Sequence, residues 1–259
     1  MRVYLMLSHD VVFKPQLLHN LLLRLPYKII GVAEIKPLRS KIKRKGLSSF
    51  EFWGIKGTMV LFFTILFRKV CSAIPFTPPY LRNRSTIKRC AKYFDIHYDL
   101  VDNVNDQKYL LYLKSIQPDV IVSFQHQIFH REILSIPNIT CINCHPSRLP
   151  KYRGVKPIFW GMLNGDKQLG VTVHTMKPKI DAGEILCQKL FSIYPNSTLL
   201  DYYYTAYSLS SDAIVEALAK IQLGIRFNDL PAIPSSSTYY PNPSREDMRR
   251  FRSLKLKII

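Results

Sequence analysis

The sequence lacks several features on which large classes of proteins depend. Its five cysteines are an odd number at spacings that form no disulfide framework, so we expect a cytoplasmic protein in a reducing environment. No uninterrupted apolar run reaches the roughly 18 residues of a membrane span, because the nearest, TMVLFFTILF, lies between Lys56 and Arg68. MRVYLMLSHD has no signal-peptide cleavage site, and the absence of G-x-G-x-x-G and Walker motifs disfavours dinucleotide and P-loop chemistry.

Acidic residues are also scarce in this chain. The 259 residues include 18 Asp and Glu against 37 Lys and Arg, a formal net charge of +19. This charge predicts an anionic partner, which is a phosphorylated small molecule, a nucleic acid or an anionic membrane surface. The segment 36–92 contributes 14 basic residues and one acid, Glu51, hence +13. A solvated basic face is the simplest interpretation of that segment.

Apolar stretches of strand length alternate with helical periodicities along the chain. Strands are predicted at RVYLML, YKIIGVAEI, IHYDLVD, DVIVSF, NITCIN and GVTVHTM. The main helices are predicted at PQLLHNLLLRL, 106–117 and 199–222. Such alternation indicates an α/β fold with a doubly wound, mainly parallel sheet. Ligands of these sheets bind at the carboxyl ends of strands, which is where SFQHQ and NCHPS fall.

The stretch CINCHPSRLPKYRG (141–154) is dense in reactive side chains. Cys141 and Cys144 have C-x-x-C spacing, but no second pair of Cys or His completes a tetrahedral zinc site. Pro146 and Pro150 disfavour the helix that a redox dithiol normally opens. The two cysteines are therefore predicted to be small core residues, and we expect no metal.

The same stretch supports an acyl-transfer site better than a metal site. Asn143 and His145 lie two residues apart at a strand end, so an extended backbone places both side chains on one side. Asp181 follows in a turn made tight by Gly183 and can reach back to a neighbouring loop. An amide and a protonated imidazole can donate to a developing oxyanion, while a carboxylate holds the imidazolium and accepts a proton.

Two stretches, NCHPSRLPKYRGVKPIFWGMLNGD and GVTVHTMKPKIDAGEILCQ, resemble the folate-dependent formyltransferase family. That family includes the glycinamide ribonucleotide, methionyl-tRNA and nucleotide-amino-sugar formyltransferases. Its signature is N-x-H-P-S-x-L-P, a G-x-T-x-H strand and D-x-G about 36 residues past the His, and here 181 − 145 is 36. The resemblance covers about residues 100–190 and, more loosely, the first 35. It implies a Rossmann-like fold, 10-formyltetrahydrofolate as donor, and Asn143, His145 and Asp181 as catalytic residues.

The resemblance also implies a domain organisation and further binding residues. Residues 1–190 are expected to form the catalytic domain, and 191–259 a small helical and irregular extension that is a candidate dimerisation element. The basic segment 36–92 is predicted to be an insertion after the second strand, whose apolar helix packs on the sheet or a partner subunit. Docking of that segment on an anionic membrane is the alternative. The pterin loop is expected to consist of Phe124, Gln125, His126, Gln127 and Ile128. The residues assigned to the acceptor are His9, Lys151, Tyr152 and Arg153.

Three acceptors compete within this family. The glycine-rich phosphate loop of the purine enzyme is replaced here by LSHDVVFKP, and the roughly 70 residues after Gln188 are too few for the OB-type domain of the tRNA enzyme. LPKYRGVKPIFWGMLNGD is especially similar to enzymes that formylate nucleotide-linked 4-amino sugars, including UDP-aminoarabinose. Lys151 and Arg153 then contact the diphosphate, or form a solvated basic turn.

We therefore expect a homodimeric N-formyltransferase of surface-glycan (O-antigen or lipopolysaccharide) biosynthesis, with a nucleotide-linked amino sugar as partner and no nucleic acid. Two alternatives stay open. One is an enzyme like methionyl-tRNA formyltransferase. The other is a non-catalytic, basic family member that binds an anionic polymer or membrane.

Overall fold

The structure is a computed structural model, and it describes residues 1–37, 47–234 and 237–259. Residues 38–46, which belong to the basic segment 36–92, lie outside the described residues. The strands are β1 Arg2–Ser8, β2 Lys28–Ile35, β3 Tyr98–Val101, β4 Val120–Phe124, β5 Thr140–His145, β6 Arg153–Gly154, β7 Gln168–Thr175, β8 Ile185–Ser192 and β9 Tyr239–Tyr240. The helices are α1 Lys14–Arg24, α2 Ser49–Ala73, α3 Pro79–Arg82, α4 Ile87–Tyr93, α5 Gln107–Ile116, α6 Arg131–Leu134, α7 Pro157–Leu163, α8 Leu199–Gln222 and α9 Arg245–Ser253.

The central sheet has seven strands in the order β3-β2-β1-β4-β5-β7-β8. The first five are parallel to one another, whereas β7 and β8 continue the sheet in antiparallel directions. β1 lies in the middle, and its residues 3–7 are fully buried, as expected of a strand covered on both faces. The doubly wound, mainly parallel sheet predicted from the sequence is thereby confirmed.

Alternation along the strands divides the core into two layers. Val3, Leu5 and Leu7 of β1 belong to a large apolar cluster with α1, α4, α7 and α8, whereas Tyr4 and Met6 belong to a smaller cluster with α5 and α6. Successive side chains of a strand point to opposite faces, so both layers draw on every central strand. The site described below lies on the face of the smaller cluster.

Helix α8 belongs to the core and is not an appendage. Thr198 and Asp201 form a capping box at its start, and its apolar residues are buried against α1, β7 and β8. The expected domain boundary at residue 190 falls inside β8. The predicted boundary therefore lies within a strand, and α8 uses its apolar face within its own chain. A dimer formed through residues 191–259 stays a prediction. It would have to use a face of α8 other than the apolar one, which is covered by α1, β7 and β8.

Helix α2 occupies the connection between β2 and β3. Its first turns are anchored by Phe52, which is buried against Phe159, and the helix axis breaks at Gly54, whose φ is 68°. Beyond that kink the helix does not pack on the sheet. The prediction that the apolar helix of segment 36–92 packs on the sheet is therefore wrong, and packing on a partner subunit stays a prediction. By length and composition, Phe50–Ala73 is a 24-residue helix apolar enough to cross a membrane, with a mean hydropathy of 1.5. The sequence analysis did not identify this helix as a candidate span, because it required an uninterrupted apolar run and Lys56 and Arg68 interrupt this one.

Candidate active site

The ends of β5 and β7 bring together the first group of candidate residues. Asn143 pairs with His174 in the antiparallel register of these strands, and the Asn143 Nδ2 atom lies 3.4 Å from His174 Nε2. Because residues 143 and 145 have the same parity in β5, their side chains share the face of the smaller core cluster. The predicted placement of Asn143 and His145 on one side of the strand agrees with this arrangement.

Asp181 reaches this group from the connection between β7 and β8. It has a φ of 44°, and Gly183 follows with a φ of 134°, where a Cβ atom would lie 2.0 Å from the Thr175 carbonyl oxygen. Only glycine fits that close approach, so the turn folds Asp181 back over the strand ends. The Asp181 Oδ2 atom lies 3.7 Å from His145 Nε2 and accepts a 2.7 Å hydrogen bond from the Gly154 N–H.

His145 is held in one tautomer by its surroundings. Its Nε2 atom lies 3.1 Å from the Tyr152 carbonyl oxygen and also faces Asp181. Both neighbours can only accept a hydrogen bond, so Nε2 carries the proton. His145 is 7% exposed, so this geometry lies largely out of contact with bulk water.

His174 is a member of the site that the sequence assignment omitted. Burial lowers the pKa of His174 to about 4, and its Nδ1 donates a 2.7 Å hydrogen bond to the Thr175 carbonyl. The neutral ring therefore offers Nε2 as an acceptor to one N–H of Asn143, which orients the amide and leaves its second N–H for a ligand. The signal was present in the sequence as the last residue of the G-x-T-x-H strand.

Arg153, which the sequence assigned to a diphosphate, is bonded to backbone carbonyls within the chain. It is 4% exposed, and its guanidinium donates to the Ile180 carbonyl from Nε at 3.1 Å and from Nη2 at 2.5 Å. A third contact joins Nη1 to the Ser237 carbonyl at 3.4 Å. Since Ile180 precedes Asp181, the buried guanidinium anchors the turn that carries the carboxylate. Three of its N–H contacts are made inside the fold, and a contact with the acceptor stays a prediction.

The other residues assigned to the acceptor have partners of their own in the structure. His9 pairs with Glu34 beyond β1, and Lys151 pairs with Asp166 at 3.3 Å on the surface. Tyr152 has a φ of 61° and a buried ring, and it meets His145 only through its backbone carbonyl. The structure therefore gives Tyr152 a backbone contact in the site, and the acceptor contacts of His9 and Lys151 stay predictions.

The loop after β4 has the rigidity expected of a pterin cradle. The side chain of Gln127 donates to the carbonyls of Lys36 at 2.9 Å and Asp102 at 2.8 Å, and it accepts from the Val104 N–H at 3.0 Å. These bonds tie the loop to the ends of β2 and β3. The Gln127 amide is consequently turned inward, and the contact of this loop with a pterin stays a prediction.

The remaining residues of this loop differ in exposure. Phe124 is buried under Tyr207, and its carbonyl accepts a hydrogen bond from the buried ammonium of Lys14. Burial lowers the pKa of Lys14 to about 8, the largest effect on that group. The Gln125 side-chain amide hydrogen-bonds the backbone N–H and carbonyl of Gln127, while His126 and Ile128 are exposed.

The two cysteines of the C-x-x-C stretch do not face each other. Cys141 belongs to the smaller core cluster and Cys144 to the larger one, so their side chains lie on opposite faces of the sheet. Burial raises the pKa of each thiol to about 12, which disfavours the thiolate that a metal or a redox partner needs. Within the described ranges, no group of three or more His, Cys, Asp or Glu residues could hold a metal ion.

An amide, two histidines and a carboxylate at the end of a doubly wound sheet are the groups needed to transfer an acyl or formyl group. The chain belongs to the formyl transferase family, whose description "Formyl transferase" matches residues 86–218, just over half of the chain. The family resemblance drawn from the sequence is confirmed at this level.

Named relatives place the chain among several branches of the family. It is 34% identical over 164 residues to the methionyl-tRNA formyltransferase of Thermotoga maritima, covering 62% of this chain and 52% of that protein. It is 37% identical over 139 residues to the bifunctional polymyxin resistance protein ArnA of Wigglesworthia glossinidia brevipalpis, covering 53% and 21%. Its fold is similar to a sugar N-formyltransferase from Shewanella, with a TM-score of 0.58 and 19% identity over 98% and 88% of the two chains. The chain thus spans about half the length of the methionyl-tRNA enzyme that it matches.

Proposed function

We propose that the protein is a folate-dependent N-formyltransferase that moves the formyl group of 10-formyltetrahydrofolate to a primary amine. The observation that carries this proposal is the convergence of Asn143, His145 and Asp181 at the ends of β5 and β7. When bound, the folate supplies an activated formyl group on nitrogen. The rigid loop after β4 is the candidate surface for its pterin ring.

The three side chains divide the chemistry between them. Asn143 donates its free N–H, and His145 donates as an imidazolium, toward the formyl oxygen as that oxygen becomes negative. Asp181 stabilises the imidazolium and accepts the proton that the attacking amine loses, directly or through water. A bond forms between the amine nitrogen and the formyl carbon, the bond from that carbon to the folate nitrogen breaks, and the proton ends on the folate nitrogen.

The acceptor that we infer is a nucleotide-linked 4-amino sugar. Lys156, two residues beyond Gly154, places its ammonium 4.6 Å from the centre of the Phe52 ring and 5.9 Å from those of Trp53 and Tyr203. No carboxylate forms an ion pair with this ammonium in the described part of the chain. A cation among aromatic rings suits a diphosphate next to a nucleobase. Phe52 and Tyr203 belong to the larger core cluster, so a nucleotide held there would have to reach the triad around the strand ends.

A second acceptor, the amino group of methionyl-tRNA, is favoured by a different observation. The first matching relatives are methionyl-tRNA formyltransferases, and a net charge of +19 suits a polyanionic substrate. The two acceptors differ in how they respond to salt. Binding of tRNA should weaken steeply as the salt concentration rises, whereas a diphosphate makes few ionic contacts and should lose little affinity.

The test is a screen of nucleotide-linked amino sugars and methionyl-tRNA with 10-formyltetrahydrofolate, read by the mass of one added formyl group. In the productive reaction, Asn143→Ala should lower turnover on the order of 100-fold or more, because one oxyanion donor contributes about 3 kcal/mol. His145→Ala and Asp181→Asn should be at least as harmful. His130→Ala, at an exposed histidine after the β4 loop, is the matched control and should retain turnover. Near-normal turnover in all three site variants would refute the proposed site, and no product with any acceptor would favour a non-catalytic role.

A further inference from the structure

Helix α2 presents its most apolar side to the surroundings of the protein. Beyond the kink at Gly54, its large apolar residues are 41% to 64% exposed; they are Ile55, Met59, Val60, Phe62, Phe63, Leu66, Phe67 and Val70. The exposed surface continues past the helix end through Ile74 and Phe76, which are 45% and 95% exposed. We call these ten residues the apolar face of α2. Water-soluble surfaces seldom carry so continuous an apolar patch without a partner.

The opposite side of the same helix faces the protein and carries polar groups beside Leu61, Ile65 and the buried Cys71. Arg68 donates a 3.1 Å hydrogen bond to the Arg84 carbonyl, and Ser72 accepts one of 3.3 Å from Arg89 Nε. Thr58 turns a buried hydroxyl inward that has no hydrogen-bond partner among the described residues. A surface helix of a soluble protein has the reverse arrangement, with its apolar stripe inward. The arrangement in α2 indicates an apolar medium on its outer side.

Cations surround this face, and carboxylates are missing near it in the sequence. Residues 52–94 contain eight Lys and Arg and no Asp or Glu. Two of them, Lys56 and Lys69, are exposed on the helix and fall on opposite sides of the midline of the apolar face at 3.6 residues per turn. Such side chains can lay their alkyl stems along an apolar layer and extend their ammonium groups to anionic headgroups.

A cleft at the start of α2 also combines apolar side chains with cations. It has a volume of about 550 Å³ and lies between α2 and α9, with Leu47, Phe50 and Ile55 on one side and Arg245, Arg249 and Arg252 on the other. Arg245 pairs with Glu51 at 2.6 Å, whereas Arg249 forms no ion pair within the described ranges. Since Ile55 belongs to both, the cleft and the apolar face of α2 are continuous, and the guanidinium groups suit phosphate.

We propose that α2 docks the protein on the surface of a lipid bilayer that contains anionic headgroups, with the apolar face in the boundary between headgroups and acyl chains. A second copy of the chain fits less well, because each copy carries +19 and pairing two such faces brings two basic segments together. A transmembrane span fits less well too. The 11 residues between Lys56 and Arg68 extend only ~17 Å as a helix, against ~30 Å of hydrocarbon.

The test is flotation of the full chain with vesicles of phosphatidylcholine alone or of phosphatidylcholine with phosphatidylglycerol, at low and at physiological salt. We expect binding to the anionic vesicles that persists at physiological salt. The triple variant Phe62→Ser, Phe63→Ser, Leu66→Ser should lower the partition coefficient about tenfold or more, because the apolar insertion is lost. Lys56→Gln and Lys69→Gln should each lower it ~5-fold at low salt.

A matched control separates membrane docking from a general loss of surface hydrophobicity. Leu23, Leu111 and Leu223 are 61%, 63% and 86% exposed on other elements, and their change to Ser should leave vesicle binding intact. Binding that survives the α2 triple variant, or that physiological salt abolishes in the unchanged protein, would overturn the proposal. Absence of vesicle binding together with a dimer in light scattering, converted to monomer by the triple variant, would assign the face to a second copy.

Discussion

Arg153 provides a test in which the sequence and the structure assign different tasks to one side chain. As a contact for the acceptor diphosphate, its loss would weaken acceptor binding and leave the chemical step largely intact. In the structure the guanidinium is buried and donates to the Ile180 carbonyl, next to Asp181. Its loss should then displace the carboxylate and slow the chemical step while acceptor binding is retained.

The expected magnitude follows from the bonds that Arg153→Met removes while keeping most of the side-chain volume. A hydrogen bond from a charged donor contributes about 1.5–3 kcal/mol, and two bonds to one carbonyl do not add fully, so the free energy of unfolding should fall by about 3 kcal/mol. Asp181 would no longer be held at 3.7 Å from His145. A shift of about 1 Å in a catalytic group lowers turnover on the order of 100-fold, so kcat should fall by that factor with the acceptor KM nearly unchanged.

The assay is steady-state formyl transfer with varied acceptor, together with urea unfolding of the same variants. Arg153→Lys is the matched control, because it keeps the charge and loses the planar fork that reaches the Ile180 carbonyl twice. It should recover little of the lost kcat. A normal kcat combined with an acceptor KM raised tenfold or more in Arg153→Met would refute the positioning role and restore the diphosphate contact.

Two further predictions concern buried groups near the site. Changing Cys141 and Cys144 together to Ala should keep turnover within about threefold and lower the free energy of unfolding by about 1–2 kcal/mol through lost packing; one zinc per chain in metal analysis, lost in the double variant, would contradict this. For His174, whose pKa burial lowers to about 4, the unfolded chain binds the extra proton between about pH 6.5 and 4, so stability should fall as the pH falls through that window. His174→Gln should flatten the fall by up to ~1.4 kcal/mol per pH unit in urea unfolding, and equal slopes in both proteins would show that His174 titrates normally.

The sequence by itself determined the fold class and the core of the candidate site. Strand residues buried on both faces, such as 3–7 of β1, leave a continuous apolar run whose short length separates it from the helices. The parity of residues 143 and 145 placed Asn143 and His145 on one side, because alternation is a local property of any extended backbone. Gly183 marked the tight turn that carries Asp181, because the residue type that a turn requires is also a local property.

The partners of the buried polar groups were decided only by the tertiary structure. From the sequence alone Arg153 is interpreted as a surface cation, whereas in the structure it is buried and donates to the Ile180 carbonyl. His174 is recognisable in the sequence only as a strand residue, and its burial in the structure lowers its pKa to about 4. Hydrogen bonding and pKa depend on neighbours that are distant in sequence, so local pattern cannot assign them.

The orientation of α2 was likewise a tertiary outcome. Its composition permits a core helix, an interface or a membrane-facing helix, because hydropathy alone does not say which side meets the protein. The tertiary structure decides which side faces the protein, because Arg68 and Ser72 hydrogen-bond Arg84 and Arg89, just before and within α4. Phe62, Phe63 and Leu66 consequently point outward. Which side of an apolar helix is covered is therefore a property of the packed chain, set by where its few polar groups find partners.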